Sequence, residues 1–177
     1  MLLRNLLLST SAAALLLGAL TPAASAAPRA CAGASAAAAA QSISRHRAAV
    51  LCLVNAERAR RGLPPLRASR LLTTAAQRHS RDMVLRGFFA HDSPSGATVR
   101  DRVARTGYLH GRWSLGENIG WMTAPSAAGI VQAWMDSPGH RAMILHRAFQ
   151  EAGVGVVAGV PSGGDGATYT MDFGLNG

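Results

Sequence analysis

A chain of 177 residues that is 49% hydrophobic can bury one sizeable core, and is too short for two domains once any leader is removed. Its 18 basic residues are all arginine against 9 acids, a formal charge of +9, and the complete absence of lysine reads as coding bias rather than guanidinium chemistry. No stripe of aromatics runs among the arginines, so a nucleic-acid partner is not expected; anionic lipid, wall polymers or acidic glycans suit the charge equally well.

The chain opens with Arg4, an apolar run from Leu6 to Leu20 and the small-residue pattern Ala24-Ser25-Ala26, the layout of a signal peptide over residues 1–26. No second apolar run of the ~20 residues needed to cross a bilayer follows, so a secreted monomer of about 150 residues is expected. Residues 27–43 are mostly Ala, Ser and Gly, with Pro28, a composition that reads as a linker. Cys31 and Cys52 are an even pair in an exported chain with no CxxC spacing, which predicts a structural disulfide tying that segment to the first helix.

The folded domain is expected over 44–177. Val50, Leu53 and Val54 fall at helical spacing before Gly62 and Pro64-Pro65, and Asn55 and Arg58 share a face where they can hold polar partners. A second helix runs from Ala68 or Ser69 to Arg86 and closes at Gly87. His79 lies on its apolar stripe with Leu72, Ala75, Ala76 and Met83, and reads as a hydrogen-bonded core histidine. Phe88 and Phe89 are expected to plug the core just ahead of His91. Thr98 and Asp101 form a capping box that opens a short helix, 98–106.

The run 115–121 alternates as a strand does, and Glu117 within it must be paired or face a cleft, because an isolated buried carboxylate is costly. A fourth helix follows Pro125-Ser126, buries Ile130, Val131 and Trp134, and breaks at Ser137-Pro138. There Ser137 reads as an N-cap and Pro138 as the first helical residue, which puts His140 at the third position. The positive helix end disfavours an imidazolium there, so the ring keeps a lone pair. The runs 153–160 and 167–173 form a hairpin around a glycine-rich loop.

Three residues drawn from a loop, a strand and a helix start could carry chemistry: His91, Glu117 and His140. Two imidazoles suit zinc or another divalent metal, and a carboxylate can orient one ring or activate a water. Each is equally readable as a hydrogen-bonded structural residue. The HExxH and GxSxG patterns are absent, and Ser93 and Ser95 beside His91 read as turn and cap residues rather than nucleophiles.

Taken together, Asn55-Ala56-Glu57-Arg58, the Ala75 to Met83 helix, Phe89-Ala90-His91-Asp92-Ser93-Pro94, Gly116-Glu117-Asn118-Ile119, Trp134 to Leu145, Gly153-Val154-Gly155 and Asp172-Phe173-Gly174 resemble, in order, the CAP superfamily of SCP-like extracellular domains. That family comprises the cysteine-rich secretory, antigen 5 and pathogenesis-related proteins, and the Ser-Pro-Gly-His-Arg form looks bacterial. The resemblance implies an α+β fold, a three-layer α-β-α sandwich with a small, mainly antiparallel sheet. It implies a cleft lined by His91, His140 and Glu117, with Ser137 standing where eukaryotic members carry a second acid. The expected function is a binding module whose cleft holds a metal at His91 and His140, supported by Glu117 and Ser137, and takes a lipid, sterol or cell-wall ligand. A metal-dependent hydrolase with Glu117 as catalytic general base is the alternative, and a structural domain without a ligand is the third.

Overall fold

A computed structural model describes residues 31–177; the leader expected over 1–26 and the first residues of the linker lie outside the described residues. Helix α1 (Ile43–Ala59) begins where the Ser42 side chain accepts from the Arg45 N–H, one residue before the expected start. Strand β1 (Arg67–Ala68) is a two-residue element with no sequence signature of its own. Helix α2 (Arg70–Arg86) is capped by Ser69, whose hydroxyl accepts from the Leu72 N–H, and is closed by Gly87 in the left-handed conformation at φ 65°. Helix α3 (Val99–Ala104) carries the full Thr98–Asp101 capping box. Strand β2 (Trp113–Met122) leads to α4 (Ala127–Asp136) and α5 (Pro138–Ile144), and β3 (Glu151–Ala158) and β4 (Ala167–Asn176) close the chain as the expected hairpin.

The sheet runs β1-β3-β4-β2, antiparallel except for the β1–β3 pair. Alternation on the strands sends one set of side chains to each helical layer. Tyr169, Met171 and Phe173 of β4 pack with Val50 and Val54 of α1, Ile130 and Trp134 of α4, and Ile144 of α5 in the main core. On the other face α2 presses directly on β3. A Cβ at Gly153 would run into the Leu72 and Thr73 backbone, and one at Gly155 into Ala76. These two glycines set the distance between α2 and the sheet. The result is the α-β-α sandwich of mixed helix and strand, with α2 and α3 on one side and α1, α4 and α5 on the other.

Asn55 and Arg58 do hold neighbouring elements. Asn55 exchanges two hydrogen bonds with the Leu66 backbone (3.0 and 2.8 Å). Arg58 is fully buried and donates to four carbonyls, those of Pro64 (2.9 Å), Ile144 (2.8 Å), His146 (3.1 Å) and Phe149 (3.2 Å). One guanidinium thereby holds the chain on both sides of the α5–β3 connection. The Cys31–Cys52 disulfide is formed. The described part of the Ala-rich segment is not a free linker: Ala38 N–H donates to Pro125 O (2.9 Å), Ala128 N–H to Ala34 O (2.9 Å), and Gln41 bridges Gly33 O and the buried His46. Backbone pairing and the disulfide substitute for the large apolar groups this stretch lacks. Among the described residues no helix is long and apolar enough to cross a membrane.

Candidate functional site

Glu117 sits midway along β2, the outer strand of the sheet, with its side chain 3% exposed and directed to the α2/α3 side. It is paired, as burial requires. Arg102 of α3 donates to Oε2 at 2.6 Å, and His91 donates from Nδ1 to Oε1 at 2.8 Å. Burial alone would raise the Glu117 carboxyl, but the His91 hydrogen bond and the Arg102 charge outweigh it and hold it below its ordinary range. Arg102 is itself fixed by a second bond, to Ala97 O at 2.9 Å. Sequence reasoning missed Arg102; the only signal was that a buried Glu117 demands a cation, and a short helix rich in arginine precedes it.

His91 is half exposed, and the Glu117 bond raises its pKa against the lowering effect of burial. With Nδ1–H on Glu117, Nε2 is the ring nitrogen left for a ligand or a proton. The aromatic pair ahead of it departs from expectation. Phe89 does not plug the core but is 46% exposed, because Gly87 turns the chain outward at the end of α2; Phe88 is the partly buried one and packs beside His79. Phe89 instead forms the wall of a cavity of about 280 Å³ with Trp121, Trp134, Ser137 and His140.

His140 occupies the third position of α5, after Pro138 at the first. Its carbonyl accepts from the buried Asn118 side chain of β2 at 3.0 Å, and Arg141 donates to Met135 O at 2.9 Å across the α4–α5 break. Burial first, and then the charge on His91, lower the His140 pKa, so its ring is neutral and its nitrogen lone pair is kept. Ser137 stands at the N-cap position with no side-chain cap bond, a correction to the capping role expected of it; proline at the first helical position makes the start without it.

The donor set can be weighed for a metal. Two imidazole nitrogens fit two positions of a tetrahedral zinc, and both Glu117 oxygens are already engaged. Among the described residues no cluster of three or more His, Cys, Asp or Glu side chains is placed to hold an ion. His91 and His140 would supply two nitrogens to such an ion, with water at its remaining positions. His79, read as a core histidine, is one: it is fully buried, its Nε2 donates to Ala90 O at 3.0 Å, and burial keeps it neutral. Asp172 was visible only as part of a motif. It is fully buried directly across from Glu117, no donor reaches either of its oxygens among the described residues, and burial together with the Glu117 charge pushes its carboxyl well above the usual range.

Residues 51–173 match the model of the cysteine-rich secretory protein family, CAP. Over 132 residues the chain is 34% identical to the Bacillus subtilis protein YkwD, covering 75% of this chain and 48% of that one, so it spans about half of that relative's length. Among solved structures, an extracellular protein containing a SCP domain from Bacillus anthracis is similar at 28% identity with a TM-score of 0.62, over 77% of this chain and 44% of that one. An outer surface protein from Borrelia burgdorferi shares the fold at 15% identity and a TM-score of 0.62, over 72% of this chain and 90% of that one. The matched span takes in α2, the His91 loop, the Glu117 strand and the His140 helix, and on that ground the chain belongs to the cysteine-rich secretory protein (CAP) family.

Proposed function

We propose that this chain is a secreted binding module whose cleft along the outer edge of β2 holds a divalent metal, zinc in the first instance, and takes a small, lipid-like or cell-wall ligand. His91 and His140 would hold the metal, with Glu117 orienting the His91 ring. The observation that carries this reading is the state of Glu117. Its two oxygens are committed to Arg102 and His91, and its lowered pKa makes it a weak base. General-base hydrolysis at Glu117 is thereby disfavoured, while a rigid, neutral His140 beside exposed Phe89 and Trp121 suits recognition. The relation to an extracellular SCP-domain protein and to an outer surface protein agrees with export.

Zinc titrated into the metal-stripped protein should bind weakly and be lost as pH falls. The loss should set in above the ordinary histidine value of about 6.5, because protons compete for the raised His91. Equal binding by His140→Ala would remove the reading. A second reading rests on the His91–Glu117 pair itself, which resembles a general base oriented by a carboxylate. Turnover of peptide, ester or glycan substrates that disappears in both His91→Ala and Glu117→Gln would favour it. If both histidine variants leave every binding and activity readout unchanged, the domain is structural.

A further inference from the structure

The opposite edge of the sheet carries a second concavity that the His91–His140 cleft does not use. A cavity of about 450 Å³ opens between α1 and β3, with Ala48, Leu51 and Cys52 on the helix side and Ala152 and Val154 on the strand side. Its volume falls in the range of about 300–1,000 Å³ that holds small ligands. Arg47 and Thr73 also line an adjoining cavity of about 270 Å³ with Gln77, Arg78 and Arg81. An apolar trough thus ends at three guanidinium groups.

Those guanidiniums lack acids. Among the described residues, none of Arg47, Arg78 and Arg81 has a carboxylate within ion-pair distance. Arg47 is partly buried, its Nε–H has no acceptor among the described residues, and burial lowers its pKa. A cation removed from water without a counter-charge is a destabilising arrangement. It is nonetheless held in place: Gln77 accepts from Arg47 while bonding the Val156 backbone through both its donor (3.1 Å) and its acceptor (2.9 Å). Gln77 therefore fixes the guanidinium against the edge of β3, which β1 leaves uncovered beyond Ala152.

We propose that this groove binds a single-chain amphiphile with an anionic head, the alkyl chain lying in the Leu51–Val154 trough and the head held by Arg47, Arg78 and Arg81. A doubly charged oxyanion offers acceptors to several guanidinium donors at once, the geometry for which arginine is suited. The assignment is independent of the metal cleft, which lies at the other edge of the sheet.

Calorimetry with dodecyl phosphate below its micelle-forming concentration tests it. One-to-one binding is expected, strengthening with chain length by up to about fourfold per methylene. Arg47→Met and the exposed pair Arg78→Gln/Arg81→Gln should each weaken it about tenfold. Ala48→Phe, which fills the trough from an exposed helix position, should abolish binding. Inorganic phosphate binding as tightly would leave only an anion patch, and dodecyl maltoside binding as tightly only an apolar dent; either result overturns the proposal, as does wild-type affinity in the variants. His91→Ala should bind dodecyl phosphate unchanged, and a loss there would place the amphiphile in the other cleft and refute the assignment.

Discussion

Asp172 offers the sharpest test of the electrostatics under the site. It is fully buried in the central strand, opposite an ionised Glu117 already held by Arg102, so the folded state takes Asp172 in its protonated form. The unfolded chain has an ordinary aspartate near pKa 3.9. A carboxyl raised on folding gives stability that is complete below about pH 3.9 and is lost as pH rises toward its folded pKa, since folding must take up a proton across that window. The rate of loss is about 1.4 kcal/mol per pH unit. Glu117 has the opposite sign: its folded pKa is lowered, so its contribution is present above about pH 4.3 and disappears in more acid solution. The two windows scarcely overlap. Urea unfolding of the wild type and of Asp172→Asn, which has nothing to titrate, should therefore diverge. Between about pH 4.5 and about pH 5.5 the variant should gain on the wild type as pH rises, whatever its starting stability, by no more than the about 1.4 kcal/mol per pH unit that one proton allows. A difference that stays constant over that interval would mean that Asp172 folds as a carboxylate, and the account of the Glu117–Arg102–Asp172 group would be wrong.

Gly155→Val should destabilise by more than about 3 kcal/mol in urea unfolding, because the new side chain meets the α2 backbone rather than a movable side chain; an effect under about 1 kcal/mol would show that α2 can shift. Arg58→Met leaves the buried Ile144 and Phe149 carbonyls, and the part-buried bonds to Pro64 and His146, without their donor and should cost at least about 3 kcal/mol by the same assay, a neutral result meaning that water replaces the guanidinium. The Cys31–Cys52 bridge closes a 21-residue separation, so reduction should lower stability by about 3 kcal/mol and free both thiols, which the unreduced, denatured protein must not show on labelling.

How far the fold was legible depends on how local its causes are. Ser69, Gly87 and the Thr98–Asp101 box act within four residues, and the helix ends they mark stand where the sequence puts them. The same holds for the α2 stripe that buries His79, and for Asn55 and Arg58, whose three-residue spacing puts them on one face where they can hold polar partners. What escaped reading depends on contacts distant in sequence. Strand β1 is two residues long and exists because Gln150 O accepts from its Arg67 N–H and Ala152 O from the N–H of Ser69 just after it. Phe89 looked like a core residue by type, yet the αL turn at Gly87 directs it outward. Arg102 was one arginine among eighteen until the fold set it against Glu117. Ser137 carries the residue type of a cap without making the bond, a matter of side-chain rotation to which sequence is blind.

The candidate site is assembled from both helical layers: His91, Arg102 and Glu117 stand on the α2/α3 side, while Ser137 and His140 belong to the α4–α5 corner, and the two halves meet only around β2. No partially opened form in which either layer lifts from the sheet retains the whole cleft. A ligand that spans both halves therefore has no affinity for such forms, and its binding free energy adds to every opening that separates the layers. Amide hydrogen exchange would register this as slowing along the whole of α2 and α5 together, including residues the ligand does not touch, whereas a ligand held by one layer would protect only its own neighbours.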